Sequence, residues 1–472
     1  MDYSSLSGNS NFTFQVVAVP YPGRSHINQM MNLCKIMASR RPSNFLITFI
    51  VTEEWHGFLS SEPLPANNIR FATIPNVIPS EIGRAKDFTG FIEAVLTKME
   101  GPVEHLLDQL EQPKPSVIIY DSFLKWVLGV ANRRNIPAAS FWPMSTTFFS
   151  LLHHYESLVE NGHLPPNPLE EGDHRVTCIP GVQSIRIADF PKELFLYDAS
   201  QTVVRATLEV VSLASKAEYL LFSSVYELES PVIDSLKEEL PKPIYSIGLA
   251  IPSLNVKNGS NDNYFAWLDA QPRASVLYIS QGSFLSASSE QLAEIIAGVH
   301  DSGIRFFWVA REDISRFQAS GGDTGNGVVV PWCDQLKVLC HPSIGGFWSH
   351  CGWNSAKEAA FAGLPVLTFP LLWDQYTNSK QIVEDWKIGW RLKRDDGGLV
   401  KREEISRSLK RFMDLECDEG KEMRRRAQEI QEICRRATAE GGSSELEIEA
   451  FTDNIAKRKS SFLDKVEVIY AG

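Results

Sequence analysis

A short stretch in the second half of the chain combines side chains that suit the binding of an anion. In FWSHCGWNSAKEAAFAG (residues 347–363) we expect an apolar strand to end at His350 and a helix to begin near Asn354. Free backbone N–H groups at a helix start attract phosphate, and Gly352 lets a ligand approach the backbone closely. Asn354 and Ser355 can cap the helix or reach phosphate oxygens, and His350 adds a donor. We therefore predict a nucleotide diphosphate here, and an ordinary helix capped by Asn354 is the alternative.

The segments on either side supply groups that suit the rest of a nucleotide sugar. Upstream, Trp332 offers an indole face for stacking on a base, and Gln335 offers an amide to the hydroxylated sugar of that base. Glu358, one turn into the predicted helix, can accept hydrogen bonds from a ribose. Downstream, Asp374 and Gln375 follow the next predicted strand, and a carboxylate with an amide that both donates and accepts suits a hexose. Each group alone would be ordinary packing or surface, but their joint placement predicts a nucleotide-sugar site.

Transfer of a sugar to a hydroxyl group also needs a base, because a neutral alcohol is a poor nucleophile. His26 follows the first predicted strand, and Asp121 ends another in SVIIYDS (residues 116–122). Since ligands bind at the carboxyl edge of a parallel sheet, we expect both side chains at that edge. We predict that His26 takes the proton and that Asp121 orients the imidazole and stabilises its protonated form. A structural histidine is the alternative.

Two aromatic-rich segments in the first half of the chain indicate a pocket for a flat lipophilic acceptor. They are FWPMSTTFFSLLHHY (residues 141–155) and FPKELFLY (residues 190–197). The candidate lining residues are Phe141, Phe148, Phe149, Phe195 and Tyr197. A phenolic, terpenoid or hormone-like molecule would suit such a slot, and packing in the core is the alternative for each of these residues.

Short apolar segments alternate with helical patterns along the chain. In the first half, the predicted strands are residues 14–20, 45–52, 69–75, 116–121, 138–143 and 219–224. In the second half they are residues 276–280, 306–310, 345–349 and 366–370, with charged helices near 401–414 and 421–440. Near-continuous apolar strands that alternate with helices predict a parallel sheet covered on both faces. The predicted fold class is α/β, with two doubly wound Rossmann-like domains that face each other across a ligand cleft.

The alternation breaks at AIPSLNVKNGSNDN (residues 250–263), which is polar, rich in turn residues and aperiodic. We interpret this segment as a linker between an acceptor-binding domain, residues 1–249, and a donor-binding domain, residues 264–443. Residues 444–472 are expected to form a helix and tail that pack back on the first domain.

The bulk composition argues against several other classes of protein. The 472 residues carry 46 basic and 58 acidic side chains, a net charge of −12, which disfavours a nucleic-acid partner. The seven cysteines are scattered without the spacing of a zinc site, so no disulfide framework and no metal cofactor is predicted. No apolar run is long enough to span a membrane, and the polar start does not have the pattern of a secretory signal. We expect a monomer in the cytosol.

Residues 332–375 resemble the signature box of the plant UDP-dependent family 1 glycosyltransferases. The resemblance implies the GT-B fold and UDP-glucose as co-substrate, since galactose users in this family often have His where Gln375 stands. It also implies a contact for each residue of the donor site. Uracil would stack on Trp332, next to Cys333; ribose would contact Gln335 and Glu358; the diphosphate would contact Ser283, His350, Gly352, Asn354 and Ser355; and the sugar would face Trp353, Asp374 and Gln375.

In the family that the chain resembles, the base and its aspartate fall at His26 and Asp121. This implies an inverting transfer that gives a β-glucoside without a metal ion. The family usually has Gly where Ser25 stands and commonly has Pro where Gln29 stands. These two departures bear on the rate or the acceptor range, and not on the type of reaction.

Two other functions remain as alternatives. A Rossmann dehydrogenase would need a GxGxxG loop after the first strand, and PYPGRSH (residues 20–26) supplies none. A nucleotide-sugar-binding protein without catalysis would not need His26 and Asp121, and release of UDP on addition of an acceptor would distinguish it from an enzyme.

Overall fold

The computed structural model describes residues 14–40, 45–60, 66–82, 87–164, 172–195, 200–251, 263–282, 288–310, 325–394 and 398–470. In the first half of the chain the strands are β1 (Phe14–Val19), β2 (Phe45–Thr52), β3 (Ile69–Ile74), β4 (Pro115–Asp121), β5 (Ala138–Trp142), β6 (Arg175–Val176), β7 (Ile185–Arg186), β8 (Tyr219–Phe222) and β9 (Ile244–Ser246). The helices between them are α1 (Arg24–Arg40), α2 (Glu53–Leu59), α3 (Phe88–Lys98), α4 (Glu100–Gln109), α5 (Trp126–Arg133), α6 (Thr146–His153), α7 (Tyr155–Glu160), α8 (Ser200–Ala214) and α9 (Tyr226–Glu239).

The second half repeats the alternation. Its strands are β10 (Val276–Ser280), β11 (Arg305–Val309), β12 (Gly327–Val330), β13 (Ile344–Ser349), β14 (Val366–Thr368) and β15 (Gly389–Arg391). Its helices are α10 (Asn263–Asp269), α11 (Ser289–Ser302), α12 (Gln335–Leu339), α13 (Trp353–Ala362), α14 (Gln375–Lys380), α15 (Arg402–Met413), α16 (Asp418–Thr438) and α17 (Ser443–Tyr470).

The strands form two parallel sheets, as their sequences predict. The first sheet has seven strands in the order β3-β2-β1-β4-β5-β8-β9, and the second has six in the order β12-β11-β10-β13-β14-β15. Strands such as β2, in which all eight residues are buried, are covered on both faces, as in a parallel sheet flanked by helices on both sides. The two-residue strands β6 and β7 pair with each other in antiparallel fashion.

The order of strands reverses once in each sheet, and these two points are where ligands are expected. In the first sheet the chain runs outward from β1 and returns to start again at β4, beside β1. In the second sheet the same reversal lies between β10 and β13. A crevice opens at the carboxyl ends of the strands at such a switch point. The structure therefore offers one crevice in each domain.

The last helix, α17, packs against the first domain. Ile448, Phe451 and Ile455 are buried in the core cluster of the first sheet. Asn454 adds a hydrogen bond from its Nδ2 to the hydroxyl of Tyr245 in β9, at 2.9 Å. None of the helices in the described part of the chain combines the length and apolar character that crossing a bilayer requires.

Candidate active site

His26 and Asp121 form a hydrogen-bonded pair at the switch point of the first sheet. His26 lies in the first turn of α1, just after β1, and Asp121 is the last residue of the neighbouring β4. The distance from Nδ1 of His26 to Oδ2 of Asp121 is 2.7 Å. Asp121 is buried, and its Oδ1 accepts from the backbone N–H of Phe123, so both carboxylate oxygens are engaged. The pair leaves Nε2 of the 20% exposed His26 side chain to accept a proton from a bound molecule.

Aromatic rings lie next to this imidazole. The ring centroids of Tyr21 and Phe123 are 5.1 Å and 6.2 Å from that of His26. Phe123 also stacks on the buried Trp142 at 5.6 Å. Sequence reasoning missed Tyr21 and Phe123, although each follows a strand end at the sheet edge where ligands were expected. Together the two rings form an apolar wall beside His26.

His350 packs between two glycines at the switch point of the second sheet. Gly282 follows β10 with a φ of 90°, and Gly352 directly precedes α13. A Cβ atom would lie 2.7 Å from Nε2 of His350 at Gly282 and 2.5 Å from it at Gly352, so neither position has room for a side chain. Nδ1 of His350 is buried and has no hydrogen-bond partner among the described residues. Burial lowers the pKa of His350 to about 4, and a bound anion would favour its protonated form.

Within the described residues, no side chain caps the backbone N–H groups of the first turn of α13. The helix begins at Trp353 with Gly352 in the cap position, where there is no side chain to bond to these groups. The expectation that Asn354 caps the helix is corrected by this start, because Asn354 lies inside the helix. Its Nδ2 donates instead to the carbonyl oxygen of Ser25, at 3.2 Å. The uncapped turn suits an anion, and the Ser25 contact joins it to the residue before His26.

The two residues predicted to hold a ribose contact each other. Nε2 of Gln335 donates to Oε2 of Glu358 at 2.6 Å and to Oγ of Ser355 at 3.1 Å. Oε1 of Gln335 accepts from the hydroxyl of the buried Tyr278 at 3.1 Å. Burial raises the pKa of Glu358 to about 7, although the hydrogen bond from Gln335 lowers it. A ligand hydroxyl that donates to Glu358 would favour the ionised carboxylate.

The predicted base-stacking residue is accessible. Trp332, three residues before Gln335, is 53% exposed, which is unusual for an indole and leaves it open to stacking on a planar base. The neighbouring Cys333 is buried, and its Sγ lies 3.4 Å from the hydroxyl of Tyr278. Cys333 therefore packs behind the site with its side chain. The predicted contact at Ser283 lies outside the described residues.

Asp374 follows β14 in the second domain and interacts electrostatically with His26 of the first domain. Its carboxylate is buried and accepts a hydrogen bond from Nδ2 of Asn378 at 2.7 Å. Burial raises the pKa of Asp374 to about 6, and His26 is among the groups that lower it. The predicted sugar-binding carboxylate of the second domain is thus within electrostatic reach of the predicted base of the first.

The other two predicted sugar contacts have partners within the protein. Oε1 of Gln375 accepts from the backbone N–H groups of Leu371 at 2.9 Å and Leu372 at 3.2 Å. The Gln375 amide therefore offers a sugar its Nε2 donor, and not both a donor and an acceptor as the sequence suggested. The Trp353 side chain is buried, and its Nε1 donates to the carbonyl oxygen of Ser223 at 2.7 Å. The expectation that the Trp353 indole faces the sugar is corrected accordingly, and its backbone N–H remains at the helix start.

The phenylalanines predicted to line an acceptor pocket are core residues in this structure. Phe141 belongs to the cluster that includes α1 and α17, while Phe148, Phe149 and Phe195 belong to a second cluster around Trp142. All four are buried. The predicted Tyr197 lies outside the described residues. The rings that adjoin His26 are therefore Tyr21 and Phe123, not the predicted set.

Comparison with known proteins places this pair of domains in a class. The family model described as UDP-glucoronosyl and UDP-glucosyl transferase matches residues 105–396. Os79 from O. sativa, in complex with U2F and trichothecene, superposes with a TM-score of 0.81 at 26% identity, covering 93% of this chain and 100% of that one. Medicago truncatula UGT71G1, complexed with UDP-glucose, gives a TM-score of 0.77 at 25% identity over 94% and 98% of the two chains. The fold is thus the GT-B fold of sugar-transferring enzymes.

A relative in sequence narrows the class. UDP-glycosyltransferase 87A1 of Arabidopsis thaliana is 49% identical over 446 residues, which cover 93% of this chain and 100% of that protein. The chain belongs to the plant family 1 UDP-glycosyltransferases, and it is a glycosyltransferase.

Proposed function

We propose that this enzyme transfers glucose from UDP-glucose to a hydroxyl group of a small lipophilic acceptor, with inversion, to give a β-glucoside. The observation that carries the proposal is the 2.7 Å hydrogen bond between His26 and Asp121. The contact of Asn354 with Ser25 sets this pair beside the uncapped start of α13. A base next to an anion site is what transfer from a nucleotide sugar to an alcohol requires.

The donor would lie along the second domain. Uracil stacks on the exposed Trp332, and the ribose hydroxyls bond to Gln335 and Glu358. The diphosphate accepts hydrogen bonds from the first turn of α13 and from His350, whose buried Nδ1 otherwise has no partner in the described residues. These groups stabilise the negative charge that develops on the departing UDP, which is the largest electrostatic demand of the reaction.

The chemical step would follow from the tautomer of His26. Because Nδ1 donates to Asp121, Nε2 accepts the proton of the acceptor hydroxyl. The acceptor oxygen attacks the anomeric carbon from the face opposite UDP while the bond from that carbon to the diphosphate oxygen breaks. The anomeric configuration is inverted, and the buried carboxylate of Asp121 stabilises the imidazolium that results.

The acceptor would lie against the first domain. Tyr21 and Phe123 give an apolar wall next to His26, which suits a flat or alicyclic molecule with one reactive hydroxyl. Os79, which is similar in structure, was solved with a trichothecene. UGT71G1, also similar, was solved with UDP-glucose, which supports glucose as the sugar.

The test is a screen of the purified full chain with UDP-glucose and a panel of phenols, terpenols and hormones. Mass spectrometry should find an acceptor that gains one hexose with equimolar release of UDP, and proton NMR of the product should show the large anomeric coupling of a β-glucoside. An α-linked product would contradict the inverting mechanism. Release of UDP that no acceptor accelerates would contradict the transfer itself.

A further inference from the structure

A buried lysine joins the two domains through neutral partners. Lys357 lies on α13 one turn after Trp353 and is 3% exposed. Its Nζ donates to Oε1 of Gln29 at 2.8 Å and to Oγ of Ser223. Both acceptors belong to the first domain, one on α1 and the other just after β8. The ammonium group is therefore held at the contact between the domains by an amide and a hydroxyl.

This placement is energetically unfavourable for a lysine. Burying a charged group is costly unless an opposite charge and several hydrogen bonds offset it. Burial lowers the pKa of Lys357 to about 7, against the raising effects of Glu358 and Glu229. The other buried residues of α13 include Trp353 and Ala356, so an apolar side chain would suit this face of the helix. A lysine here points to a role that packing alone does not supply.

The partner of Lys357 is itself fixed to the first domain. Gln29 follows His26 by one turn of α1 and is buried. Its Nε2 donates to the carbonyl oxygen of Pro143 at 3.0 Å, and its Oε1 also accepts from Oγ of Ser223 at 2.6 Å. Both the nitrogen and the oxygen of the Gln29 amide are therefore hydrogen-bonded. Because Gln29 and His26 lie on the same helix, the bond from Lys357 to Gln29 also restrains the position of His26.

Two further contacts connect the same segments. Nδ2 of Asn354 donates to the carbonyl oxygen of Ser25, and Nε1 of Trp353 donates to the carbonyl oxygen of Ser223. With Lys357, three side chains within the first two turns of α13 bond to the first domain. The start of α13 and the start of α1 are consequently held together by direct hydrogen bonds.

We propose that Lys357 and Gln29 are a positioning pair that fixes His26 at its working distance from the diphosphate at the start of α13. The proposal rests on the proposed function, since it takes His26 as the base. It also accounts for one departure from the family that the sequence resembles. Where Pro is common, this chain has Gln29, whose amide oxygen accepts from the ammonium group of Lys357 as a proline side chain could not.

The expected consequence is a loss of turnover rather than of donor binding. Displacing a general base by a fraction of an ångström slows proton transfer, while the uracil and ribose contacts lie wholly within the second domain. The loss should also depend on the acceptor. An acidic nitrophenol needs little help from a base, whereas an aliphatic alcohol depends on it fully.

The test compares Lys357→Met, Gln29→Met and the double variant, assayed with UDP-glucose and one acceptor of each kind. We expect each single variant to lower kcat for the aliphatic alcohol about tenfold. The double variant should show no further loss, because the residues act through one contact. Turnover of the nitrophenol and the dissociation constant of UDP, measured by calorimetry, should each stay within about twofold.

Lys380→Met is the matched control. Lys380 is also 3% exposed, but its Nζ bonds at 2.6 Å to Asp385 within the second domain. Its replacement should lower the melting temperature without changing the ratio of the two acceptor rates. If the role of Lys357 were only structural, Lys357→Met would likewise lower the melting temperature and leave the ratio of the two acceptor rates unchanged.

The outcomes separate the two proposals. If Lys357→Met turns over the alcohol like the parent, or if it slows both acceptors equally, the positioning pair is refuted. If either single variant fails to fold, Ser223→Ala removes the third member of the contact and carries the same expectation. If His26→Ala keeps its turnover of the alcohol, the proposed function fails. If His26→Ala loses that turnover while Lys357→Met keeps it, only the positioning pair fails.

Discussion

Nδ1 of His26 lies 2.7 Å from Oδ2 of Asp121, although 95 positions separate the two residues in the sequence. They meet because β1 and β4 are neighbours at the point where the order of strands reverses. The second sheet has the same reversal between β10 and β13, and there His350 packs between Gly282 and Gly352. In the proposed reaction, the crevice of the first sheet holds the base and the crevice of the second sheet holds the anion site.

The affinity for UDP should depend on the ionisation of Glu358. Burial raises the pKa of this carboxyl to about 7, and a ribose hydroxyl bound as we propose favours its ionised form. Below that pKa binding must expel a proton, so the affinity should rise up to about tenfold between pH 6 and pH 8. Calorimetric titration of UDP across this range checks the expectation. Glu358→Gln is the control, because UDP itself titrates in the same way with both proteins while the variant lacks the ionisable carboxyl. The affinity of the variant should therefore depend less on pH. An equal slope of affinity against pH for the two proteins would refute the role of Glu358 in binding UDP.

Binding of UDP should protonate His350. The pKa of this imidazole is lowered to about 4 by burial, and a neighbouring diphosphate raises it. At pH 5.5 the parent enzyme should therefore take up more protons on binding UDP than His350→Gln, which keeps a hydrogen-bond donor. Titrations in two buffers of different ionisation enthalpy give the number of protons. The Glu358 contribution cancels in the comparison, so an equal number for both proteins would mean that His350 does not contact the phosphates.

Gln375 should favour glucose over galactose through its Nε2 group. Its Oε1 is engaged by two backbone N–H groups, so the amide can only donate to the equatorial hydroxyl at C4. An axial hydroxyl would leave that donor unpaired, at a cost of about 1–3 kcal/mol. Gln375→Glu keeps the acceptor for the backbone and removes the donor, and Gln375→His replaces both. Competition between UDP-glucose and UDP-galactose should show a narrower kcat/KM ratio in both variants, chiefly through slower turnover of glucose. An unchanged ratio would direct attention to Asp374.

The transfer should not need a divalent cation. The groups assigned to the diphosphate are helix N–H groups, an imidazole, an amide and hydroxyls, which neutralise charge without a metal ion. Turnover should therefore persist in excess EDTA, with the same rate after magnesium is added back. An enzyme that EDTA silences and that a divalent ion alone restores would disprove this expectation.

Much of the fold follows from the sequence, because apolar runs of five or more residues separated by helical patterns have few other solutions. The ten predicted strands agree with β1 to β5, β8, β10, β11, β13 and β14 within two residues at either end. The strands β6, β7, β9, β12 and β15, each of two to four residues, were not predicted. They are too short for a periodic pattern, and their pairing with neighbouring strands decides their structure.

Site residues could be predicted where a side chain able to do chemistry lies at the carboxyl end of a predicted strand. His26 and His350 follow strands and Asp121 ends one, so all three lie at the sheet edge where ligands are expected. Trp353 and Gln375 show the limit of this reasoning. The partner of Trp353, the carbonyl oxygen of Ser223, depends on tertiary structure. The contacts of Gln375 with the backbone of residues 371–372 depend on a local turn that a hydrophobic pattern does not reveal. Tyr21 and Phe123 were missed because a single aromatic residue after a strand is usually a packing residue.

The measurement that tests the account most directly is the turnover of His26→Ala at neutral pH with an aliphatic alcohol as acceptor. Loss of a general base costs about 10²–10⁴ in rate, so kcat should fall by that factor. The UDP dissociation constant should stay unchanged, because the residues proposed to hold the donor lie in the second domain. Full turnover of the alcohol by this variant would contradict the assignment of His26 as the base.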